Sequence, residues 1–199
     1  MSLCLYQGTF NPIHNAHLKV ANFVYKNFNF DKILFIPAYK PPHKNNFECD
    51  EELAMHRLNM VNLAVEPFPY FEVSEIEYKR NEPSYTYYTI KELYDIYQPK
   101  EKINFIIGTD AFRRIDTWHE ADKLKELLDF VLFVREDNFE ETTLFELKSR
   151  GYNYRLAKMD YCNISSSEVR QKTKNCVNII NIVPNEVANY INENKLYKY

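Results

Sequence analysis

The sequence lacks the features that mark membrane and secreted proteins. No apolar run approaches the ~20 residues that a membrane-spanning helix needs. The opening residues, MSLCLYQGTF, contain too short an apolar stretch for a secretory signal. No internal repeat or linker divides the chain, and 45% hydrophobic residues in 199 suit one full-sized core. We therefore expect a single cytoplasmic domain spanning residues 1–199, with no membrane partner.

The chain also has little excess charge of either sign. Its 25 Lys and Arg residues nearly balance its 28 Asp and Glu residues, which leaves a formal net charge of -3. Such a balance gives no overall field that would attract DNA or an anionic membrane. An anionic ligand must therefore be held by cations placed at one site, so a small phosphorylated molecule is favoured over nucleic acid.

Cysteine is sparse and shows no metal-binding spacing. The four cysteines, Cys4, Cys49, Cys162 and Cys176, form no CxxC pair. Reduced thiols are therefore expected rather than a zinc site. The sequence leaves the formation of a homo-oligomer open.

Short runs of β-branched and aromatic residues alternate along the chain with segments of helical period. This alternation is typical of a parallel sheet covered by helices on both faces, so we predict an α/β fold, Rossmann-like and doubly wound. Helices are predicted at His17–Phe28, at Glu51–Val65 and from Pro184, within a small C-terminal helical part that begins near residue 165. The predicted strands are Leu3–Tyr6, Ile33–Pro37, Phe71–Ile76, Ile103–Ile107, Phe130–Val134 and Tyr154–Met159.

The segment QGTFNPIHNAH, residues 7–17, follows the first predicted strand and resembles an anion site. Ligands of an open parallel sheet bind beyond the carboxyl ends of its strands. Gly8 lets the backbone approach a phosphate, and Asn15 is a candidate helix cap. His14 and His17 flank the helix start, where N–H groups and the helix dipole favour an anion. The alternatives are a simple cap or a zinc site, although no acidic residue separates the histidines as in a metalloprotease motif.

The residues GTFNPIHNAH resemble the GTFDPIHxGH signature of the HxGH nucleotidyltransferases, which transfer AMP or CMP from a nucleoside triphosphate. Further segments, in the same order, resemble the bacterial nicotinate-nucleotide adenylyltransferases, and the likeness spans nearly the whole chain. These segments are YKPPHK at 39–44, PSYT at 83–86, IGTDA at 107–111, TWH at 117–119 and ISSSEVR at 164–170. The sequence departs from the usual pattern at Gln7, Asn11 and Ala16, and none of the three is a group assigned to chemistry.

The resemblance implies an enzyme of NAD biosynthesis that joins nicotinate mononucleotide to the adenylyl group of ATP and releases pyrophosphate. It makes His14 and His17 catalytic, and Mg²⁺ would arrive on ATP rather than in a protein cage. The implied ATP- and phosphate-binding residues are Gly8, Thr9, Phe10, Lys40, Gly108, Asp110, Ile164, Ser165, Ser166 and Arg170. The implied nicotinate-nucleotide-binding residues are Ser84, Thr86, Trp118, His119 and Arg135.

The segment around Ser165 has a physical interpretation of its own. A serine followed three residues later by Glu168 is a capping box, which predicts a helix start. The N–H groups and hydroxyls of that helix start, together with Arg170, would hold the β- and γ-phosphates. The alternative is an ordinary cap with a solvent-facing arginine.

The same spacing recurs at Thr117 and Glu120, which predicts a helix whose first turn contains Trp118 and His119. Unpaired N–H groups in that turn would receive a carboxylate. Trp118, the only tryptophan, would offer a flat face to a pyridinium ring. The alternative for Trp118 is a plain core position, since large aromatic side chains are usually buried for packing.

The remaining charged candidates have simpler alternatives. Asp110 is either a ligand of the nucleoside or a helix cap. Lys40 and Lys44 lie in a proline-rich segment that is either a mobile cover over the phosphates or a solvated charge pair. Arg135 either reaches the cleft or pairs with the acidic residues that follow it.

Catalysis needs no paired nucleophile and base, because the substrate phosphate is already an ionised nucleophile. Two rival functions remain. One is a sister enzyme that uses another acceptor, such as phosphopantetheine, nicotinamide mononucleotide or a cytidylyl substrate. The other is a nucleotide sensor without catalysis.

Overall fold

The computed structural model describes residues 2–42, 50–80, 82–134, 139–159 and 163–198. In these ranges six strands form one sheet, and every pair of neighbouring strands is parallel. The strand order is β3-β2-β1-β4-β5-β6. The strands are β1 (Leu3–Gly8), β2 (Lys32–Pro37), β3 (Phe71–Val73), β4 (Ile103–Gly108), β5 (Leu128–Phe133) and β6 (Tyr154–Ala157).

The strands alternate with helices along the described chain. The helices are α1 (Asn15–Phe28), α2 (Glu51–Val65), α3 (Thr86–Tyr97), α4 (Thr109–Phe112), α5 (Ala121–Leu127), α6 (Phe145–Ser149), α7 (Ser166–Lys174) and α8 (Asn185–Glu193). Short 3-10 helices lie at Ile115–Thr117 and Glu141–Leu144. Within the described part, no helix is both long and apolar enough to cross a membrane.

The sheet is buried on both faces, as the alternation along β1 illustrates. Cys4 and Tyr6 point into a core formed with α1, α2, α7 and α8, whereas Leu3 and Leu5 point into a second core. The second core contains Ile90 of α3, together with apolar residues of α4, α5 and α6. Two apolar cores, one on each face, are the arrangement that a parallel sheet requires. The predicted doubly wound α/β fold is confirmed.

Strand β3 is shorter than predicted, because it ends at Val73 rather than at Ile76. The hydroxyl of Ser74 accepts a hydrogen bond from the backbone N–H of Ile76 at 3.3 Å. This local bond replaces the sheet ladder and turns the chain. Ile76 remains buried, at 4% exposure, in the core with α3.

The prediction that Asn15 caps the first helix is wrong. His14 occupies the N-cap, and Asn15 is the first helical residue, two positions before the predicted start. Asn15 makes other hydrogen bonds instead. Its backbone N–H donates to the carbonyl of Ile182 at 2.9 Å, and its side chain donates to the backbone carbonyl of Asn181. The start of α1 is thereby tied to the chain between α7 and α8.

The described cysteines are both free, with Cys4 buried in β1 and Cys176 exposed. Burial raises the pKa of the Cys4 thiol well above its usual value. Cys49 and Cys162 lie outside the described residues.

The strand order places a topological switch point at β1. The chain passes from β1 to β2 on one side, whereas β4 pairs with β1 on the other. At such a point the connections leave the sheet in opposite directions and open a crevice at the carboxyl ends of the strands.

Candidate active site

A cavity of about 500 Å³ lies at the carboxyl ends of β1 and β4. It is the size of a nucleotide pocket rather than of a buried water site. Ten of the residues predicted to form the site line it together: Gly8, Thr9, Phe10, His17, Ser84, Thr86, Gly108, Asp110, Trp118 and His119. The sequence therefore identified much of the wall, from four separate segments of the chain.

The turn after β1 is shaped by Phe10. Its backbone lies in the left-handed region, at φ 45°, and its side chain is 3% exposed. A Cβ added to Gly8 would meet the Phe10 ring at 3.1 Å. Glycine at this position therefore leaves room for the Phe10 ring, a reason that differs from the predicted approach to a phosphate.

The two histidines of the signature stack on each other. Their ring centroids are 3.7 Å apart, with 24° between the planes. His17 lines the cavity, whereas His14 is buried behind it at 2% exposure. The backbone N–H of His14 donates to Nδ1 of His17 at 3.2 Å. Because Nδ1 is the acceptor, the proton of a neutral His17 lies on Nε2, which makes Nε2 a donor.

Lys40 begins the proline-rich segment, and its backbone is held firmly. Its N–H donates to Oγ of Ser84 at 2.9 Å, and its carbonyl accepts from the N–H of Ser84. Pro41 and Pro42 line the cavity, whereas Lys40 does not. Lys44 lies outside the described residues, so the predicted mobile cover remains a prediction.

Gly108 and Asp110 form the cavity wall at the end of β4. Asp110 lies in the first turn of α4, where Gly108 is the N-cap. The predicted alternative, that Asp110 itself is the cap, is wrong. A Cβ on Gly108 would contact Oδ1 of Asp110 and would lie 3.3 Å from the Phe133 ring. Glycine at position 108 therefore leaves room for the Asp110 carboxylate.

Another part of the cavity wall is formed by Trp118, His119 and Tyr85. Trp118 is half-buried and packs edge-on against Phe105 of β4, so it is both a core residue and a wall of the cavity. The exposed ring of His119 lies 4.5 Å from that of Tyr85, and its Nε2 is 3.1 Å from the hydroxyl of Tyr88. Thr86 is the first residue of α3.

The predicted helix with Thr117 as its cap is wrong. Residues 115–117 form a 3-10 helix that ends there, and the Thr117 hydroxyl donates backwards to the carbonyl of Arg114 at 2.8 Å. The N–H of Trp118 donates to the carbonyl of Ile115, so it is not available to a ligand carboxylate. The next helix begins only at Ala121, after Glu120 in a left-handed conformation.

The helix start predicted at Ser165 is confirmed, and the serine half of the predicted capping box forms. Ser165 is the N-cap of α7, and its Oγ accepts from the N–H of Glu168 at 3.1 Å. Ser166 donates to the carbonyl of Pro12, and Arg170 donates to that of Asn11 at 2.7 Å. The helix start therefore contacts the signature turn from outside the cavity.

Besides His14, five predicted site residues lie behind or beside the cavity wall rather than on it: Lys40, Ile164, Ser165, Ser166 and Arg170. Arg170 donates one hydrogen bond to the signature turn and one to Ser167. A guanidinium has five N–H donors in all. Arg135 lies outside the described residues.

Two buried charged residues support the site without belonging to a motif. Glu77, at 1% exposure, accepts from the Gln7 side chain, from the N–H of Tyr39 and from the Thr89 hydroxyl. Arg57, at 4%, donates to three backbone carbonyls. Its spacing from Ala54, Leu58 and Val61 places it on the apolar stripe of α2, and that position is the signal available in the sequence.

The chain is similar to known nucleotidyltransferases over its length. The Cytidylyltransferase-like family model matches residues 5–172. A probable nicotinate-nucleotide adenylyltransferase of Staphylococcus haemolyticus is 38% identical, over 99% of this chain and 97% of the relative. The chain belongs to the cytidylyltransferase-like family. A relative of the same name in Carboxydothermus hydrogenoformans is 33% identical, over 98% of this chain and 96% of the relative.

The fold comparison agrees with this family membership. A Plasmodium falciparum nicotinic acid mononucleotide adenylyltransferase, complexed with NaAD, superposes with a TM-score of 0.81. It is 22% identical, and the match covers 100% of this chain and 98% of the other. The resemblance predicted from the sequence is therefore confirmed for both family and fold.

Proposed function

We propose that this chain joins nicotinate mononucleotide to the adenylyl group of ATP, giving nicotinate adenine dinucleotide and pyrophosphate in NAD biosynthesis. The observation that carries the proposal is one cavity lined by two unlike sets of residues, which we take as its two ends. His17 and the turn at Gly8–Phe10 line one end, and Trp118, Thr86 and His119 line the other. A triphosphate suits the first end, and a pyridine ring suits the second.

In the proposed reaction the 5′-phosphate of nicotinate mononucleotide attacks the α-phosphorus of ATP in line with the departing pyrophosphate. The P–O bond to the new phosphate forms as the bond to pyrophosphate breaks. His17 donates from Nε2 to an α-phosphate oxygen, and stacked His14 holds the ring in place. Catalysis then consists of positioning and charge stabilisation, because the attacking phosphate is already ionised.

The donor set of the cavity fits Mg²⁺ carried mainly by the nucleotide. Asp110 is the carboxylate among the lining residues, and the described chain contains no group of three His, Cys, Asp or Glu side chains able to hold a metal ion. The ion would neutralise part of the charge on the pyrophosphate. No protein ligand is assigned to it.

The aromatic end also accounts for a preference for the acid form of the pyridine. Helix α3 is 12 residues long and begins at Thr86, so its first N–H groups favour a carboxylate. The amide of nicotinamide mononucleotide would direct its own N–H₂ group at these donors. We expect kcat/KM to favour the acid form by about 10²-fold or more.

The test is to incubate the purified chain with ATP, Mg²⁺ and one acceptor at a time, and to measure released pyrophosphate. The acceptors are nicotinate mononucleotide, nicotinamide mononucleotide and phosphopantetheine. Turnover is expected with the first. Equal rates with the first two would contradict the proposed acceptor, and ATP binding without any pyrophosphate release would support a sensor instead.

A further inference from the structure

Arg57 is a buried cation that binds backbone rather than a carboxylate. Its Nη1 donates to the carbonyl of Thr9 at 2.8 Å and to that of Ala38, and its Nη2 donates to the carbonyl of Tyr39 at 3.0 Å. The residue is 4% exposed. No ion pair between described residues involves it. Three carbonyl dipoles therefore solvate its charge.

The three carbonyls belong to the two loops that leave the sheet beside the cavity. Gly8 and Pro37 are the last partners of the β1–β2 register, and the N–H of Ala38 adds one more bond, to the carbonyl of Gly8 at 2.9 Å. Beyond that bond the segments after β1 and β2 no longer pair as strands. The guanidinium lies between them and donates hydrogen bonds to backbone carbonyls that sheet pairing no longer satisfies.

Both loops lead directly to the site. Thr9 lines the cavity, and the guanidinium of Arg57 contacts the backbone carbonyl of this residue, directly behind the wall. Tyr39 precedes Lys40, and its peptide is held on both sides, by Arg57 at the carbonyl and by Glu77 at the N–H. Arg57 thus fixes the signature turn relative to the base of the Lys40 segment.

We propose that Arg57 is a positioning residue for adenylyl transfer, which locks the two phosphate-facing loops together and places a buried positive charge behind them. This inference rests on the proposed function. The planar guanidinium suits this task, because its N–H groups point in fixed directions toward both loops. A lysine would keep the charge, but its compact ammonium cannot span the same three carbonyls.

The test compares Arg57→Met, Arg57→Lys and the control Arg155→Met. Arg155 lies on β6, donates to Asn104 at 2.7 Å and packs its guanidinium 5.0 Å from the Phe28 ring, away from the cavity wall. The control therefore removes one equal charge without touching either loop. Turnover is measured per folded molecule, with folding checked by circular dichroism and thermal melting.

We expect Arg57→Met to lower kcat about 30- to 100-fold, because a shift of about 1 Å in a positioning group can cost 10²-fold. KM for nicotinate mononucleotide should change less than about threefold, because that ligand's ring lies at the other end. Arg57→Met should also bind ATP more weakly, as measured by calorimetry. Compared with Arg57→Met, Arg57→Lys should recover part of the ATP affinity but less of kcat. Arg155→Met should match the unaltered chain in both.

A folded Arg57→Met protein with kcat within about threefold of the unaltered chain would overturn the inference, as would an equal loss in Arg155→Met. If Arg57→Met does not fold, Arg57→Lys decides, and an unchanged kcat in that variant would overturn it. ATP affinity separates the two proposals. If the unaltered chain binds ATP without turnover, the proposed function fails, and Arg57 is then judged by whether Arg57→Met weakens ATP binding about tenfold.

Discussion

The two ends of the cavity are held by different kinds of contact. At the phosphate end, the loops after β1 and β2 are fixed by hydrogen bonds from buried residues, Arg57 and Glu77. At the aromatic end, Tyr85, His119 and Trp118 are half-buried or exposed. The ring of His119 packs on that of Tyr85, and Trp118 packs on Phe105. One end is a fixed frame, and the other is a packed but accessible surface.

This difference predicts which kinetic constant each end controls. A group held within a hydrogen-bonded frame can be aimed at charge that develops in the transition state, so its loss lowers kcat. A ring that stacks on a substrate binds ground state and transition state alike, so its loss raises KM. Substitutions at the two ends should therefore separate kcat from KM.

The largest effect is expected from His14 and His17, which we propose act at the phosphate end. His17→Ala should lower kcat about 10²–10³-fold, the loss typical of one transition-state donor. His14→Ala should act similarly, because its ring stacks on that of His17 at 3.7 Å. Steady-state release of pyrophosphate gives both values. His56→Ala is the control, since His56 bonds to the hydroxyl of Tyr190 outside the cavity, and near-normal kcat in His17→Ala would reject its role.

The next largest effect is expected at the aromatic end. Trp118→Ala should raise KM for nicotinate mononucleotide about tenfold or more, because one stacking contact with a base-like ring is worth about 1–3 kcal/mol. Its kcat should stay within about threefold. Phe145→Ala, at an exposed aromatic position of α6, is the control. A fall in kcat with unchanged KM would show that the ends do not divide the two constants.

Gly108→Ala probes the boundary between the ends. The backbone there, φ -74° and ψ 149°, suits alanine, so the fold should be retained. The new Cβ would displace the Asp110 carboxylate and crowd the Phe133 ring. We expect KM for ATP to rise about five- to tenfold, a cost of about 1 kcal/mol. An unchanged KM for ATP would remove Asp110 from the nucleotide site.

The smallest effect is expected from Tyr197, whose hydroxyl donates to Oδ1 of Asn11 at 2.7 Å. Burial raises the pKa of this phenol well above its usual value, so it stays protonated and remains a donor. Tyr197→Phe removes one hydrogen bond from the signature turn. Such a bond is worth about 0.5–1.5 kcal/mol, so kcat should fall about two- to tenfold. Tyr190→Phe is the control. An unaltered kcat in Tyr197→Phe would show that Arg57 and Glu77 hold the signature turn without Tyr197.

Much of the fold could be predicted because its signals are local. The short β-branched and aromatic runs located all six strands of the described sheet, although Phe71–Ile76 and Tyr154–Met159 were predicted too long at their carboxyl ends. Glu51–Val65 matched the helix pattern at both ends. The signature turn was visible because its glycine, histidines and helix start are adjacent in sequence.

The errors arose where one local pattern permits two structures. Thr117 and Glu120 have the spacing of a capping box, but the Thr117 hydroxyl bonds backwards to Arg114 and ends a helix instead. Asn15 is a good cap residue, yet it donates hydrogen bonds to the distant carbonyls of Asn181 and Ile182 instead.

The partners of the supporting residues could not be found for a different reason. Arg57 acts on Thr9, 48 residues away, and Tyr197 acts on Asn11, 186 residues away. Such pairs meet only in the folded chain, so one sequence does not reveal them.

The most direct test of a divided cavity is a crystal structure of the chain with nicotinate adenine dinucleotide bound. We expect the pyridine ring to lie within about 4.5–7 Å of the Trp118 ring, the range of aromatic pairs. We also expect a phosphate oxygen within hydrogen-bond distance of Nε2 of His17. A dinucleotide bound in the reverse direction, with its adenine against Trp118 and its pyridine near Gly8, would contradict it.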